Sequence, residues 1–151
     1  MTRAELIAFV RESNRIEGID REPTLNEIEA HEMLIRIRAM QVTDLCRFVS
    51  YIEPRERLRD QLGTNVRVGD YVPPIGGPDI KDKLQDILGL IHAGRLTPYT
   101  AHIEYERLHP FTDGNGRSGR ALWLWMHDGK APLGFLHAFY YEALRHAEEK
   151  T

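Results

Sequence analysis

Three threonines divide this chain into short helices before any hydrophobic pattern is considered. Thr2 is followed three residues later by Glu5, and Thr24 by Glu27. In this reciprocal arrangement a hydroxyl and a carboxylate satisfy the free amides of a helix start. Thr97 precedes Pro98, whose fixed φ and missing N–H suit the first helical position. These starts predict a helix from Thr2 to about Gly18, and a second from Thr24 to about Gln41 carrying Ile28, Met33, Leu34 and Ile37. A further one runs from Thr97 to about Leu108. Thr43 or Asp44 can open another through Val49 and Ile52 to the region of Arg57. After Pro78, the residues Ile80, Leu84, Ile87, Leu88 and Ile91 make an amphipathic helix that stops near Gly94. Helices from about Gly116 to His127 and from about Gly134 onward complete a mainly α fold.

One segment breaks the helical period. From Leu62 to Gly77 there are four glycines, two prolines and the alternating piece Val66, Arg67, Val68 before the turn-like Gly69 and Asp70, a pattern that predicts a β-hairpin. At 151 residues the chain has the length of one domain with one core. Twenty basic against twenty-three acidic residues, a net charge of -3, give no basic excess for binding nucleic-acid phosphates. The uninterrupted apolar runs are far shorter than the ~20 residues of a membrane span. The charged start around Arg3, Glu5, Arg11 and Glu12 does not resemble a signal peptide, so a cytoplasmic protein is expected. The single cysteine, Cys46, sits in an apolar stretch and reads as a small buried hydrophobe.

The chemistry is concentrated between two predicted helices, in His109, Pro110, Phe111, Thr112, Asp113, Gly114, Asn115, Gly116, Arg117, Ser118, Gly119 and Arg120. Gly114 and Gly116 clear side chains from a turn entering a helix, so backbone N–H groups and the positive helix end can face an anion. Arg117 and Arg120 are three apart, hence roughly on one face, and two guanidinium groups suit a polyphosphate. Asp113 supplies a hard oxygen of the kind that holds Mg²⁺ when phosphates and water complete its shell. His109 is the group in this stretch whose ordinary pKa of ~6.5 suits proton abstraction near neutral pH. Taken singly, such residues usually mean a turn or a cap. A base, a metal carboxylate, a glycine nest and two spaced arginines within twelve residues are hard to obtain from turn geometry alone.

This string resembles the Fic signature H-P-F-x-D/E-G-N-G-R-x-x-R at every defining position. The resemblance extends over nearly the whole chain and implies an α-helical Fic core, with the hairpin in the place of the family's target-binding flap. That flap would comprise Val66, Arg67, Val68, Gly69, Asp70, Tyr71 and Val72. On the same resemblance His109 would be the general base, Asp113 the Mg²⁺ ligand, and Gly114, Asn115 and Gly116 the anion nest. Arg117 and Arg120 would hold the triphosphate. It implies transfer of AMP from ATP to a hydroxyl of another protein. The related Doc-type kinases carry a lysine at the position of Gly116, so glycine here points to AMP rather than γ-phosphate transfer.

Ser13, Asn14, Arg15, Ile16, Glu17 and Gly18 resemble the family's inhibitory motif, S/T-x-x-x-E-G/N. Four apart on a helix, Ser13 and Glu17 share a face, and the resemblance implies that Glu17 pairs with Arg120 and blocks the productive γ-phosphate pose. Two other readings stand beside transfer: removal of AMP with Glu17 positioning water, and a nucleotide-binding regulatory module without turnover. Against the latter, pure binding needs no base at His109. The expected partners are ATP and a protein bearing the acceptor hydroxyl, with monomer and homo-oligomer both open. The run Arg55, Glu56, Arg57, Leu58, Arg59, Asp60 reads as a solvated helix face or end and is assigned no role. His102 reads as structural, and Trp123, Trp125, Phe135, Phe139, Tyr140 and Tyr141 as core and partial-surface aromatics.

Overall fold

The computed structural model describes residues 1–130. Among them are six helices: α1 (Arg3–Ile16), α2 (Leu25–Ile35), α3 (Val42–Ile52), α4 (Pro78–His92), α5 (Pro98–Leu108) and α6 (Asn115–Met126). The fold is mainly α. The threonine caps form as the sequence predicts, with Thr2, Thr24 and Thr97 each accepting from the amide three residues on. The predicted helix from Gly134 and the aromatics Phe135, Phe139, Tyr140 and Tyr141 lie outside the described residues.

Helix ends depart from expectation where tertiary packing decides them. α2 stops at Ile35 rather than near Gln41. The turn that follows puts Met40 wholly inside the core and lets the Ile37 carbonyl accept Trp125 Nε1 at 2.7 Å. α3 ends at Ile52, short of Arg57, and its cap Glu53 is extended at φ -141, ψ 82. Pro54 follows, and the residue before a proline is driven out of the α region. The hairpin is far smaller than the sequence suggests. Residues 62–77 contain one bridged pair, Val68 with Tyr71, around a turn at Gly69 and Asp70. No ladder extends it, because Pro73 and Pro74 lack amides and the Gly76 amide is taken by Asn65 Oδ1 at 2.9 Å.

Among the described residues two apolar clusters hold the helices. The larger joins α2 to α6 through residues such as Leu45, Phe48, Ile80, Leu84, Tyr105 and Phe111, all completely or almost completely buried. The smaller docks α1, through Leu6, Phe9 and Val10, onto Ile28, Trp123 and Leu124. Burying each such side chain stabilises by roughly 1.5–3 kcal/mol, so α1 is part of the folded body. Cys46 is half-buried, and burial pushes its thiol up. No helix among the described residues is long and apolar enough to cross a membrane.

Candidate functional site

The loop between α5 and α6 owes its shape to two left-handed residues. His109 caps α5 at φ 51, ψ 62, and Gly114 precedes α6 at φ 81, ψ 11. The glycine adopts this at no steric cost; a histidine held there carries roughly 1–3 kcal/mol of strain, which the surroundings must offset. Three bonds do so. The His109 amide donates to Tyr105 O at 2.9 Å, its carbonyl accepts Arg59 Nε at 2.6 Å, and Nδ1 lies 3.3 Å from Glu106 O. Below the loop, Asn115 locks Phe111 in both directions, Oδ1 accepting Phe111 N and Nδ2 donating to Phe111 O, each at 2.8 Å. The segment Arg57–Arg59 runs antiparallel beside Pro110–Thr112, with Arg59 N donating to Pro110 O and Thr112 N to Arg57 O.

Donation from Nδ1 to the Glu106 carbonyl leaves Nε2 as the acceptor nitrogen. Burial lowers the His109 pKa below its ordinary 6.5, and the Arg59 charge adds to this; the Glu106 carbonyl, Asp113 and Glu17 oppose it. The ring is thus neutral at neutral pH, the state a base requires.

The first helical bond of α6 runs from Ser118 N to Gly114 O at 3.0 Å. The amides of Asn115, Gly116 and Arg117 therefore have no acceptor within the helix and form an anion-seeking end. A side chain already lies there. A methyl group on Gly116 would stand 2.2 Å from Glu17 Oε1 and 3.1 Å from Arg120 Nη1. Glycine at 116 is what admits the Glu17 carboxylate. That carboxylate comes from the C-cap of α1, where Gly18 turns the chain away at φ 76. Its Oε1 accepts Arg120 Nη2 at 2.6 Å. Ser13 completes the grip, its Oγ accepting Arg120 Nε at 2.8 Å and its carbonyl accepting Nη2 at 3.0 Å. Ser13, Glu17, Gly116 and Arg120 thus meet in one place, as their positions in the two motifs suggest.

Arg117 and Arg120 do not share a direction. Arg117 Nη2 donates to Glu53 Oε1 at 2.6 Å, and Nη1 lies 3.9 Å from Glu27 Oε2. Its side chain is buried between the ends of α2 and α3, away from the α1 contact that holds Arg120. Glu27 also receives Arg21 and caps α2. Burial alone would raise the Glu27 carboxyl, but these bonds outweigh it and hold it at about 2. Of the two arginines expected to hold a triphosphate, Arg120 stands at the nest and Arg117 is paired with two glutamates.

Asp113 is exposed, and one of its oxygens accepts the Gly114 amide at 2.7 Å. The other remains available to a cation. Among the described residues no group of three or more metal-binding side chains assembles. A lone carboxylate beside a phosphate cradle nevertheless fits Mg²⁺, which takes most of its shell from phosphate and water. Glu106 keeps Oε1 out of solvent near His102, and burial pushes its carboxyl up to about 7. His102 is itself buried and held down at about 3 by that burial.

The residues expected to form a flap, Val66 to Val72, lie in the loop over the end of α5, and Tyr71 Oη donates to Arg107 O at 2.7 Å. Arg59 corrects the sequence reading of its charged run. Far from a solvated face, it is 0% exposed and donates to four backbone carbonyls. Its neighbours in sequence are charged and its acceptors are main-chain atoms, so nothing in the composition marked it.

Comparison with known proteins identifies the fold independently. The model of the Fic/DOC family matches residues 27–127, two-thirds of the chain, including α5, the loop and α6.

Proposed function

The chain belongs to the Fic/DOC family, for which transfer of a nucleotidyl group or a related reaction is the general expectation, and we propose that it is a protein adenylyltransferase restrained by its own Glu17. One observation carries the reading: a carboxylate occupies the bare first turn of α6 and takes the guanidinium of Arg120. A site that accepts an internal anion so closely is built for an external one.

In the proposed reaction the hydroxyl of a target protein loses its proton to His109 Nε2. Its oxygen bonds to the α-phosphorus of ATP while the bond from that phosphorus to the α,β-bridging oxygen breaks, and pyrophosphate leaves. The α6 amides and Arg120 hold the phosphates, and such positioning and charge stabilisation supply most of the rate in phosphoryl transfer. Mg²⁺, held by Asp113, would neutralise phosphate charge when bound. Arg117, paired here with Glu53 and Glu27, is the second arginine for the triphosphate. The 62–77 loop presents an extended target segment by main-chain pairing. With Glu17 in place, Arg120 is unavailable to the γ-phosphate and a like charge faces the triphosphate.

The test is incubation of the Glu17→Gly chain with ATP, Mg²⁺ and a cell lysate. An AMP mass increment on a lysate protein or on the chain itself is the expected result. A phosphate increment instead, or none at any ATP concentration, would remove the proposal. A second reading is supported by Glu17 being 38% exposed within the site: its carboxylate could position water for AMP removal. In that case Glu17→Gly would lose release of AMP from a modified protein.

A further inference from the structure

The last carbonyls of α5 are spoken for in an unusual way. A helix C-terminus leaves carbonyls without helical donors, and here three side chains, those of His109, Tyr71 and Arg59, satisfy them. His109 Nδ1 lies at Glu106 O, and Tyr71 Oη donates to Arg107 O. Arg59 takes the next two: Nη2 donates to Leu108 O at 2.8 Å and Nε to His109 O at 2.6 Å. On its other edge Arg59 Nη1 donates to Thr64 O at 3.2 Å and Pro74 O at 2.9 Å. Those carbonyls stand on opposite arms of the 62–77 loop. The Arg59 backbone repeats the pattern, its amide donating to Pro110 O at 2.8 Å and its carbonyl accepting Gly77 N at 2.9 Å.

The neck of the loop is closed tightly around this guanidinium. A methyl group on Gly76 would meet Thr64 Oγ1 at 2.3 Å and Thr64 O at 2.5 Å, and Asn65 Oδ1 accepts the Gly76 amide. The loop therefore cannot shift at its neck without disturbing the bonds that Arg59 makes to the α5 end. A planar fork with five donors can reach four carbonyls at once; an ammonium with three donors on one atom cannot. The four acceptors are neutral backbone groups, and no carboxylate is among them.

We propose that Arg59 is a positioning residue for the transfer reaction, holding the His109 base and the neck of the 62–77 loop in one fixed relation through four backbone carbonyls. The inference rests on the reading of His109 as the base and of 62–77 as the loop that presents the target. It assigns a reason to the left-handed conformation of His109, whose carbonyl could not reach Arg59 Nε if the helix simply continued. Misplacement of a reacting group by about 1 Å can cost ~10²-fold in rate, so a clamp common to base and target loop sets the rate without touching either substrate.

The experiment places Arg59→Lys and Arg59→Met in the Glu17→Gly chain and reads three quantities. These are kcat and KM for a protein target, the dissociation constant for ATP, and the imidazole titration of His109 by NMR. The expected result is a kcat lower by ~10²-fold in Arg59→Met, with ATP affinity within about twofold. The lysine variant, which keeps the charge and part of the donor set, should recover part of the rate. Among the charges facing His109, Asp113 and Glu17 raise its pKa and Arg59 lowers it, so the titration should move up in Arg59→Met and return toward the parent in Arg59→Lys. Folded variants with unchanged kcat and titration would overturn the proposal, as would equal losses of kcat and ATP binding.

Asn65→Ala provides a second route should neither Arg59 variant fold. It loosens the neck without touching Arg59 or His109, and it should shift the His109 resonances and lower kcat several-fold; unchanged resonances and rate would refute the coupling. If the chain transfers no AMP under any condition, the resonances still report the clamp. Absence of activity then counts against the functional reading and not against Arg59.

Discussion

Two buried arginines hold the two ends of this site, and they are held in different ways. Arg120, at the proposed phosphate end, has Ser13 Oγ, Ser13 O and the Glu17 carboxylate as its acceptors. Arg59, at the proposed hydroxyl end, has four backbone carbonyls. A carboxylate partner is an anion that another anion can replace, since the guanidinium keeps an equivalent partner after the exchange. A carbonyl partner has no such substitute, and the carbonyls stripped of their donor, Thr64 O and Leu108 O fully buried among them, would bear a desolvation penalty. The phosphate end is therefore exchangeable and the hydroxyl end fixed. Glu17 is 38% exposed while Arg59 is 0% exposed, which puts the replaceable contact within reach of solvent and ligand.

The largest effect is expected at the fixed end. His109→Gln should lower AMP transfer by ~10² to 10⁴-fold, the usual range for loss of a general base, in both the parent and the Glu17→Gly chain. ATP binding should stay near the parent value, because nest and arginine are untouched. Measuring both on the same preparations breaks the comparison if they fall together, for then base and phosphate site are one unit and not two ends.

At the exchangeable end, Glu17→Gly should raise transfer and self-modification by about tenfold. This corresponds to the lower side of the ~1.5–3 kcal/mol attached to a hydrogen bond with a charged group, discounted because the carboxylate is partly exposed. Adding Arg120→Ala should bring the rate down again, since it deletes a phosphate ligand along with the restraint. A double variant as active as Glu17→Gly would show that Arg120 does not meet the nucleotide. Turnover with labelled ATP at several concentrations distinguishes these results.

What the sequence made legible follows the same division. The phosphate end rests on contiguous residues and on a motif at α1, so Glu17 and Arg120, 103 positions apart, could be brought together by resemblance alone. Helix starts were legible because a threonine and a glutamate three apart act locally. Helix ends were less so: Gln41 lies beyond α2 because Met40 must be buried, a tertiary demand. Pro54 is a readable stop for α3, obscured by the charged run that follows it. Arg117 and Arg120 are equivalent by spacing, and their different carboxylate partners, Glu53 and Glu27 for one and Glu17 for the other, depend on the tertiary fold. Arg59 left no mark, because its acceptors are main-chain atoms shared by every residue type.

Ser13→Ala should release the phosphate end only in part. Arg120 loses Ser13 Oγ but keeps the Ser13 carbonyl and Glu17. A net neutral hydrogen bond is worth ~0.5–1.5 kcal/mol, so activation of a few-fold is expected, below that of Glu17→Gly and not additive with it. Activation equal to that of Glu17→Gly would mean that the serine, and not the carboxylate, is the principal restraint.

The smallest effect tests whether the two ends are independent at all. Burial, aided by Arg59, sets the His109 pKa below its ordinary 6.5, while Glu17 and Asp113 push it upward. Transfer needs the neutral ring, so its rate should be full above the lowered pKa and fall only as pH drops through it. The acid limb should therefore lie below the value for a free imidazole. Removing the Glu17 charge takes away one of the upward influences, and the limb in Glu17→Gly should move slightly further down. Arg59→Met, which removes a downward influence, should move it the other way. The pH profile of kcat/KM, which reports the free enzyme, thus carries opposite signs in these two variants for the two ends of the site. Shifts of the same sign, or a limb at or above 6.5 in the parent, would show that burial of His109 does not govern its proton and would sink its assignment as a base poised neutral by the fold.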